Sequence, residues 1–485
     1  MFLSLTTMHV PPPDQKTCVV AVDLSKTTSA SFMGLGIQVD PFRYEPTEAQ
    51  WKTTWDRVSH CKPGFFRVCF QADAYCAGFA DSGEPVFKWK RTPIDGELKK
   101  VFRLLDYAEE HGVDVMIGEW GCPRLSDRGK EAWIQPEDPR WADIITSWLR
   151  YLLDEKGYTC IKDYDFFNEP NGDWSGMQSY ESWVAGMGNL AKAFERKGLK
   201  GRVRISGPSS MGNSNWLEGF DWLDQSVRDL PGVEDSYNVH WYAEDDEVLD
   251  GSVERVLRDR RRRILDLDPK AAQRPFFMGE SGIFTGRTNG DQQPRVKTFE
   301  YGVLMADYVA QVARAGWLGA TYWDLDDAMH PVGPDTDPPG PLTLKVWGFW
   351  NTQGTRMGDP DDERMRPPFY VWTLGSRLFP RGTRMVESDT RSVDRLRSLA
   401  GVPPEKGAFS AMVVNDSDAH RKVLLKAVGC GRKALHVYRY FADDRPVDRD
   451  GFPVAAAELP DADLDRGIDI DMPSRGCVFV TTTKL

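Results

Sequence analysis

The sequence predicts an α/β fold, in which a (β/α)8 TIM barrel is joined to a β-sandwich. Three observations support this prediction. Eight short apolar runs alternate with helical patterns between residues 34 and 330, which is typical of a parallel sheet with helical crossovers. Eight such units over about 290 residues match the usual size of a barrel with insertions. Beyond residue 369 the chain changes to short β-rich runs separated by turn residues, as in a sandwich.

The eight runs are apolar at most positions, as expected for strands that are covered on both faces. The predicted barrel strands are GLGIQVD (34–40), FFRVCF (65–70), DVMIGEW (114–120), DYDFFNEP (163–170), RVRISGP (202–208), SYNVHWY (236–242), PFFMGES (275–281) and GATYWDL (319–325). Between them, residues 98–108, 145–152 and 183–194 carry apolar side chains at helical spacing, and a glycine able to end a helix follows each stretch. A doubly wound open sheet is the alternative, but no G-x-G-x-x-G sequence opens a helix here.

A long segment rich in Pro, Gly, Asp and Trp follows the eighth predicted strand, at 326–368. We predict that its aromatic side chains, Trp347, Phe349 and Trp350, form a wall beside the mouth of the barrel. Such a wall would narrow the access to that mouth.

The C-terminal part of the chain has the pattern of a sandwich. Its predicted strands are FSAMVVND (409–416), KVLLKAV (422–428), ALHVYRYF (434–441) and GCVFVTTT (476–483). The early run TCVVAVDL (17–24) has no helix after it, so we predict that it pairs into this sandwich. The predicted organisation is an N-terminal strand segment at 1–33, a (β/α)8 barrel at 34–368 with a long insertion after its eighth strand, and a sandwich at 369–485.

Composition narrows the class of protein. The 485 residues carry a net charge of −12, which argues against a nucleic-acid partner, and no run approaches the length of a membrane span. Residues 1–13 contain no basic region followed by an apolar run, and none of the eight cysteines forms a C-x-x-C pair. We therefore expect a cytoplasmic protein with reduced cysteines, of which only Cys122 lies beside a predicted site loop.

Polar side chains gather at the carboxyl ends of the predicted strands, where the active sites of barrel enzymes lie. These residues are Arg67 on the second strand, Glu119 and Trp120 on the third, Asn168 and Glu169 on the fourth, His240 and Tyr242 on the sixth, Glu280 on the seventh, and Trp323 on the eighth. Pro170 stops the fourth strand directly after Glu169, and Glu280 follows an apolar run in which a carboxylate is costly without a partner or a task.

Two of these strand ends resemble a known group of enzymes. FFNEP (166–170) resembles the acid/base motif of glycoside hydrolase clan A, and FMGESG (277–282) resembles that clan's nucleophile strand. The resemblance covers residues 34–330, and a barrel with a sandwich built from both chain ends is similar in layout to the β-xylosidase, glucosylceramidase and α-L-arabinofuranosidase types. It implies a retaining glycosidase in which Glu169 is the acid/base and Glu280 the nucleophile.

The resemblance also implies roles for the remaining polar residues, all of them in contact with the sugar or with the two glutamates. Asn168 would bind the sugar 2-hydroxyl, Arg67 and Tyr242 would position Glu280, His240 would orient substrate or acid/base, Trp323 would stack on the sugar, and Glu119 and Trp120 would contact further hydroxyls. It implies a carbohydrate substrate, and we expect no metal, cofactor, nucleic-acid or membrane partner. With such a substrate, the aromatic wall predicted at 326–368 favours action at the end of a small glycoside or oligosaccharide over action within a long polymer.

Three other interpretations remain open. A metal-dependent barrel enzyme needs clustered histidines, but the seven histidines include no H-x-H or H-x-x-x-H pair, and the acidic run at 324–327 is better explained as a solvated loop. A sugar-binding barrel without catalysis would not need two glutamates at one sugar. A transglycosylase would carry the same residues as a hydrolase, and only its products would distinguish it.

Overall fold

The computed structural model describes residues 17–91, 93–94, 96–211, 221–332 and 343–485. Residues 1–13, in which the sequence shows no leader pattern, lie outside these ranges, as does a part of the predicted insertion at 326–368. Within these ranges, each helix is too short or too polar to cross a membrane.

The strands are numbered here in chain order. They are β1 (Cys18–Ser29), β2 (Gly34–Gln38), β3 (Phe65–Phe70), β4 (Cys76–Phe79), β5 (Pro85–Phe87), β6 (Asp114–Glu119), β7 (Arg124–Asp127), β8 (Lys130–Trp133), β9 (Ile161–Asp165), β10 (Arg204–Met211), β11 (Ser236–Ala243), β12 (Phe276–Ile283), β13 (Gly319–Tyr322), β14 (Arg384–Asp389), β15 (Leu396–Val402), β16 (Ser410–Asn415), β17 (Arg421–Val428), β18 (Arg432–Tyr440), β19 (Ala457–Asp463), β20 (Ile468–Met472) and β21 (Gly476–Thr481).

The α-helices follow the same convention. They are α1 (Glu48–Cys61), α2 (Gly96–His111), α3 (Pro139–Arg150), α4 (Tyr180–Lys197), α5 (Trp222–Asp229), α6 (Asp245–Leu249), α7 (Ser252–Leu267), α8 (Phe299–Arg314), α9 (Gly354–Met357) and α10 (Pro367–Leu378). The first and third stretches with helical spacing lie in α2 and α4, and the second lies in α3 and the π-helical turn Tyr151–Glu155 that continues it. Gly198 ends α4 in the left-handed region, as the sequence predicts.

Eight parallel strands close into a barrel, in the order β2, β3, β6, β9, β10, β11, β12, β13. Each predicted apolar run supplies one of these strands, so the barrel is confirmed. Inward-facing Phe65, Met116 and Phe277 fill part of its interior as a separate buried cluster. Helices cover the outside, so the strands are buried on both faces and all functional side chains are confined to the strand ends.

The N-terminal strand joins the C-terminal domain, which completes the predicted fold. Strand β1 lies inside a nine-stranded sheet, antiparallel to β14 and parallel to β17. Val20 of β1 belongs to a buried apolar cluster that contains side chains from both ends of this sheet. Leu425 of β17 lies near one end, and Leu435 of β18 and Val478 of β21 lie near the other. Because side chains from both ends meet in one core, the sheet folds over itself as a sandwich.

The boundary predicted at residue 369 falls inside helix α10. Helix α10 packs on the barrel, where the indole N–H of Trp372 donates to the carbonyl of Gly36 at 3.0 Å. We therefore propose that the barrel extends to Leu378 and that the second domain begins with β14. Helix α8 joins the two domains, since its buried Asp307 pairs with Arg397 of β15 at 2.7 Å.

A four-stranded sheet of β4, β5, β7 and β8 was not predicted. It is built from the loops that follow the second and third barrel strands, and its strands of three or four residues are too short to show a period in sequence. This sheet raises one side of the barrel mouth.

The acidic run after the eighth strand is buried, so the predicted solvated loop is wrong. Asp326 accepts backbone N–H groups of Ala328 and Thr352 at 2.9 and 3.1 Å. Asp327 forms an ion pair with the buried Arg366 at 2.6 Å. These carboxylates are buried because they hold the two ends of the insertion together.

The predicted aromatic wall is only partly present. Trp347 packs edge-on against Tyr242 with ring centroids 5.2 Å apart, and so reaches the mouth of the barrel. Phe349 instead stacks on Tyr322 at 3.9 Å, and Trp350 packs against Phe369, both behind the barrel wall.

All eight cysteines lie within the described ranges, and none is in a disulfide. Burial raises the pKa of the Cys122 thiol to about 12, so this residue is no nucleophile at neutral pH.

Candidate active site

The parallel strands bring most of the predicted polar residues together at one end of the barrel. The structure gathers Arg67, Asn168, Glu169, His240, Tyr242 and Glu280 into one hydrogen-bonded cluster. Trp323 lies at its side, and its backbone N–H donates to Ser281 at 3.3 Å.

Glu169 is held in an unusual backbone conformation. Its φ is +45°, a left-handed value that side-chain-bearing residues rarely adopt. Its N–H donates to the carbonyl of Ser209 at 2.9 Å, and its own carbonyl accepts from Gly172 at 2.8 Å. Strain of this kind persists where the surroundings enforce it, and it commonly marks a functional position.

A β-bulge turns Glu280 into the barrel. On β12, Met278 pairs with Val239 and Glu280 pairs with His240, so Gly279 is an extra residue in the strand. Without the bulge, strand alternation would point Glu280 toward the helices. Gly279 is required here, because a Cβ would lie 2.8 Å from Asn238 Oδ1 and 2.9 Å from His240 Nε2.

Both carboxylate oxygens of Glu280 accept strong hydrogen bonds. Arg67 Nη1 donates to Oε1 at 2.6 Å, and the Tyr242 hydroxyl donates to Oε2 at 2.6 Å. Arg67 is fully buried and always protonated, so it places a fixed positive charge beside this carboxylate.

Arg67 is also the hub of the cluster. Its further acceptors are Gln38 Oε1 at 3.0 Å, Asp165 Oδ2 at 3.0 Å, Asn168 Oδ1 at 2.6 Å and Ser209 Oγ at 3.4 Å. The side-chain oxygen of Asn168 faces Arg67, so the NH2 group of Asn168 points away from Arg67 and can donate to a ligand.

A hydrogen-bonded chain runs from Asp165 to Glu169 through His240. The Ser209 hydroxyl donates to Asp165 Oδ2 at 2.6 Å, and His240 Nε2 lies 3.0 Å from the same hydroxyl oxygen. This network assigns the proton of the imidazole to Nε2, which leaves Nδ1 as an acceptor. Nδ1 lies 2.9 Å from Glu169 Oε1, so the arrangement favours a protonated Glu169 that donates to His240.

The environment shifts the protonation of all three groups. Burial raises the pKa of Glu169 to about 7 and lowers the pKa of His240 to about 4, so the imidazole is neutral at pH 7. Burial also raises the pKa of Glu280, but the charge of Arg67 and the hydrogen bond from the Tyr242 hydroxyl oppose that rise. Of the two glutamates, Glu280 therefore has the stronger stabilisation of its charged form.

The two carboxylates are close to each other. Glu169, His240 and Glu280 each offer an atom within 4.8 Å of the other two, the only grouping of this kind among the described residues. These atoms resemble a set of metal ligands, but a cation would lie beside the guanidinium that already binds Glu280. The fixed charge of Arg67 therefore favours acid–base chemistry over metal binding.

Aromatic rings line one side of the cluster. Trp323 stacks on His330 at 4.6 Å, and Trp120 packs edge-on against Trp323 at 5.7 Å. His330 Nε2 lies 3.1 Å from Asp40 and 3.4 Å from Asp324, which fixes the imidazole behind the tryptophan. Trp120 is thus close to the site through Trp323, and its contact with a ligand stays a prediction.

The structure does not bring Glu119 to this cluster. Its Oε1 accepts from the hydroxyls of Tyr75 and Tyr164 at 2.6 and 2.8 Å, on the helix side of the barrel wall. Strand β6 turns Met116 inward, so alternation turns Glu119 outward. Burial raises its pKa to about 8, which suits a protonated structural residue.

Sequence reasoning missed three residues that complete the cluster: Gln38, Asp165 and Ser209. Asp165 could have been found, because it is the last residue of β9 and lies only four positions before Glu169. Ser209 could not, because it lies at a second bulge, between Pro208 and Ser210, that the sequence does not reveal.

The closed parallel barrel, the second β-domain and the polar strand ends define the architecture of barrel glycoside hydrolases. Similar solved structures include a GH30 endoxylanase from Clostridium papyrosolvens C71, with a TM-score of 0.65 and 13% identity over 96% of this chain and 99% of that chain. The catalytic domain of GH30 xylanase C from Talaromyces cellulolyticus has a TM-score of 0.66 and 12% identity over 96% and 100% of the two chains. An α-L-arabinofuranosidase from Thermotoga maritima has a TM-score of 0.64 and 13% identity over 97% and 100%.

These similarities confirm the resemblance to clan A glycoside hydrolases at the level of the fold. No protein-family profile and no curated protein matches the sequence. The chemistry of this chain therefore has to be argued from its own residues.

Proposed function

We propose that this protein is a retaining glycoside hydrolase, with Glu280 as the nucleophile and Glu169 as the acid/base. The observation that carries the proposal is the pair of buried carboxyl groups, which approach within 4.8 Å and have different partners. Retaining enzymes place the two groups about 5–5.5 Å apart, whereas inverting enzymes need about 6.5–9.5 Å to admit a water.

In the first step, Glu280 attacks the anomeric carbon of the sugar. The bond from that carbon to the leaving oxygen breaks, and the proton of Glu169 passes to that oxygen. Arg67 and Tyr242 support this step because they hold Glu280 as an oriented anion. The neutral His240 supports it because its Nδ1 favours the protonated form of Glu169.

In the second step, water hydrolyses the glycosyl ester. Esterification removes the negative charge of Glu280, so the pKa of Glu169 falls and this residue can accept a proton from water. The water oxygen then bonds to the anomeric carbon, and the carboxylate of Glu280 is released. Two displacements restore the original anomeric configuration.

The surrounding side chains fit a sugar at this position. Asn168 presents its NH2 group to the 2-hydroxyl, and Trp323 offers an aromatic face. Trp120, His330 and Trp347 crowd the mouth on two sides, which supports action at the end of a small glycoside or oligosaccharide.

A panel of nitrophenyl glycosides in the β-gluco, β-galacto, β-xylo and α-L-arabinofuranosyl configurations tests this proposal. We expect turnover of at least one glycoside that survives EDTA, and an NMR time course that shows the retained anomer first. Inverted product would contradict the mechanism, and no turnover would favour a silent sugar-binding barrel. Product analysis with added acceptor sugars separates a hydrolase from a transglycosylase.

Three variants assign the two roles. Glu280→Ala should abolish turnover, and Glu169→Ala should be rescued by azide, which needs no base, to give a glycosyl azide of unchanged configuration. Glu234→Gln is the matched control, since Glu234 is another buried glutamate, hydrogen-bonded to Ser226 at 3.0 Å away from the cluster. It should retain wild-type turnover.

A further inference from the structure

Two tryptophans at the barrel mouth expose more than half of their surface. Trp133 is 56% exposed and Trp174 is 55% exposed, and no other tryptophan in the described ranges is exposed. Trp133 ends β8, in the loop region after the third barrel strand, and Trp174 lies in the loop after the fourth. Large apolar side chains left in water beside a polar site commonly mark a binding surface.

Hydrogen bonds tie these two loops to each other and to the acid/base. The N–H of Cys122 donates to the carbonyl of Ser175 at 3.0 Å, which joins the third loop to the fourth. The N–H of Gly172 donates to the carbonyl of Glu169 at 2.8 Å, so the fourth loop turns back directly after the glutamate. The two tryptophans are therefore held on the side of the site to which Glu169 belongs.

Both rings lie against glycines. A Cβ on Gly172 would come within 2.4 Å of Trp174 Cε2, and a Cβ on Gly176 would lie 3.9 Å from Trp133 Cζ3. The missing side chain of Gly172 leaves room for the ring of Trp174, whereas the ring of Trp133 is at ordinary van der Waals distance from Gly176. The remaining surface of both rings is open to solvent. Arg124, with its guanidinium carbon 6.0 Å from the ring of Trp133, adds hydrogen-bond donors beside the open surface.

We propose that Trp133 and Trp174 bind the leaving group, as a surface on which its sugar rings stack. This inference rests on the proposed glycosidase function, because it places the leaving group on the side of the acid/base. Glu169 protonates the oxygen that joins the sugar to the leaving group, so whatever is released lies on its side of the bond. The apolar C–H face of a pyranose fits an indole, and two separated indoles suit a neutral leaving group of at least two sugars.

Binding without turnover tests the site directly. The Glu280→Gln variant is titrated with xylotetraose and with cellotetraose, by calorimetry and by tryptophan fluorescence. Adding Trp174→Ala or Trp133→Ala should weaken binding of the better tetrasaccharide about tenfold. Trp174→Phe should restore part of it, and Gly172→Ala should weaken it by displacing the ring. Phe284→Ala, which removes a 42% exposed aromatic residue after the seventh strand, is the matched control and should change binding less than about twofold.

Kinetics separate this inference from the proposed function. With Glu280 intact, the tryptophan variants should lower kcat/KM for the tetrasaccharide about tenfold and leave kcat/KM for a nitrophenyl glycoside nearly unchanged. Equal losses on both substrates, or no loss on either, would overturn the leaving-group site while turnover still supports the glycosidase. Tetrasaccharide binding that depends on the tryptophans but lacks any turnover would overturn the glycosidase instead. Binding that is indifferent to both tryptophans would overturn the site.

Discussion

Replacing Tyr242 by phenylalanine isolates the charge on Glu280, because it removes one hydroxyl group and keeps the ring. That hydroxyl donates to Glu280 Oε2 at 2.6 Å, while the ring packs against Trp347. A hydrogen bond to a charged group contributes about 1.5–3 kcal/mol, and one pKa unit corresponds to about 1.4 kcal/mol. Losing the hydroxyl stabilises the charged form less, so the pKa of Glu280 should rise by about one to two units.

The pH profile of kcat/KM measures this shift. Its acid limb reports ionisation of the nucleophile, and its basic limb reports loss of the proton of Glu169, whose pKa lies at about 7. In Tyr242→Phe the acid limb should move up by about one to two units. The profile should therefore narrow and its maximum fall, while the basic limb changes little.

A second buried tyrosine provides the control. Tyr164 donates its hydroxyl to Glu119 at 2.8 Å on the helix side of the barrel, so Tyr164→Phe removes a similar bond elsewhere. It should leave both limbs in place. If Tyr242→Phe moved the basic limb and not the acid limb, Tyr242 would act on the acid/base, and the assignment of Glu280 as nucleophile would be wrong.

Three further predictions follow from the same contacts. Ser209→Ala removes the partner of His240 Nε2, so the imidazole can carry its proton on Nδ1 and donate to the carboxylate of Glu169. The pKa of the basic limb of the pH profile should then fall by about one unit. An unchanged basic limb would contradict the hydrogen-bonded chain. The pKa of Glu169 rises from 4.5 to about 7 on folding, so the free energy of unfolding falls as the pH rises through this window. In urea unfolding, Glu169→Gln should therefore increase the free energy of unfolding by up to about 3 kcal/mol more at pH 8 than at pH 5. Equal increases at the two pH values would count against a buried neutral acid. Removing residues 1–30 takes away β1 and divides the nine-stranded sheet, so the truncated protein should lose the sandwich and its solubility. A soluble, active truncated protein would show that the sandwich does not depend on β1.

The barrel could be predicted because its strands are buried on both faces. A run such as FFRVCF is apolar at five of its six positions, which predicts a buried strand, and the helices between the runs show a clear helical period. The short strands β4, β5, β7 and β8 have no such signal, because three or four residues complete too few alternations. The helix that crosses residue 369 was missed because α10 is apolar on nearly every side, which removes the helical period.

Strand alternation accounts for only a part of the site. Arg67 faces inward with Phe65, and the pairing of β3 with β6 could have shown that Glu119 faces outward. Glu280 was identified through its resemblance to a motif, since simple alternation would have turned it outward. The bulge at Gly279 is set by packing against Asn238 and His240, which come from another part of the chain.

The position of β1 has a consequence for synthesis of the chain. Strand β1 fits between β14 and β17, so neither of its edges can be paired as in the folded protein until residues 384–389 and 421–428 have been made. During that interval an apolar strand with two open edges persists in the nascent protein, which is a known route to aggregation. The sheet around β1 can therefore close only after residues 421–428 have been translated, and chaperone demand in the cell should depend on the length of that delay.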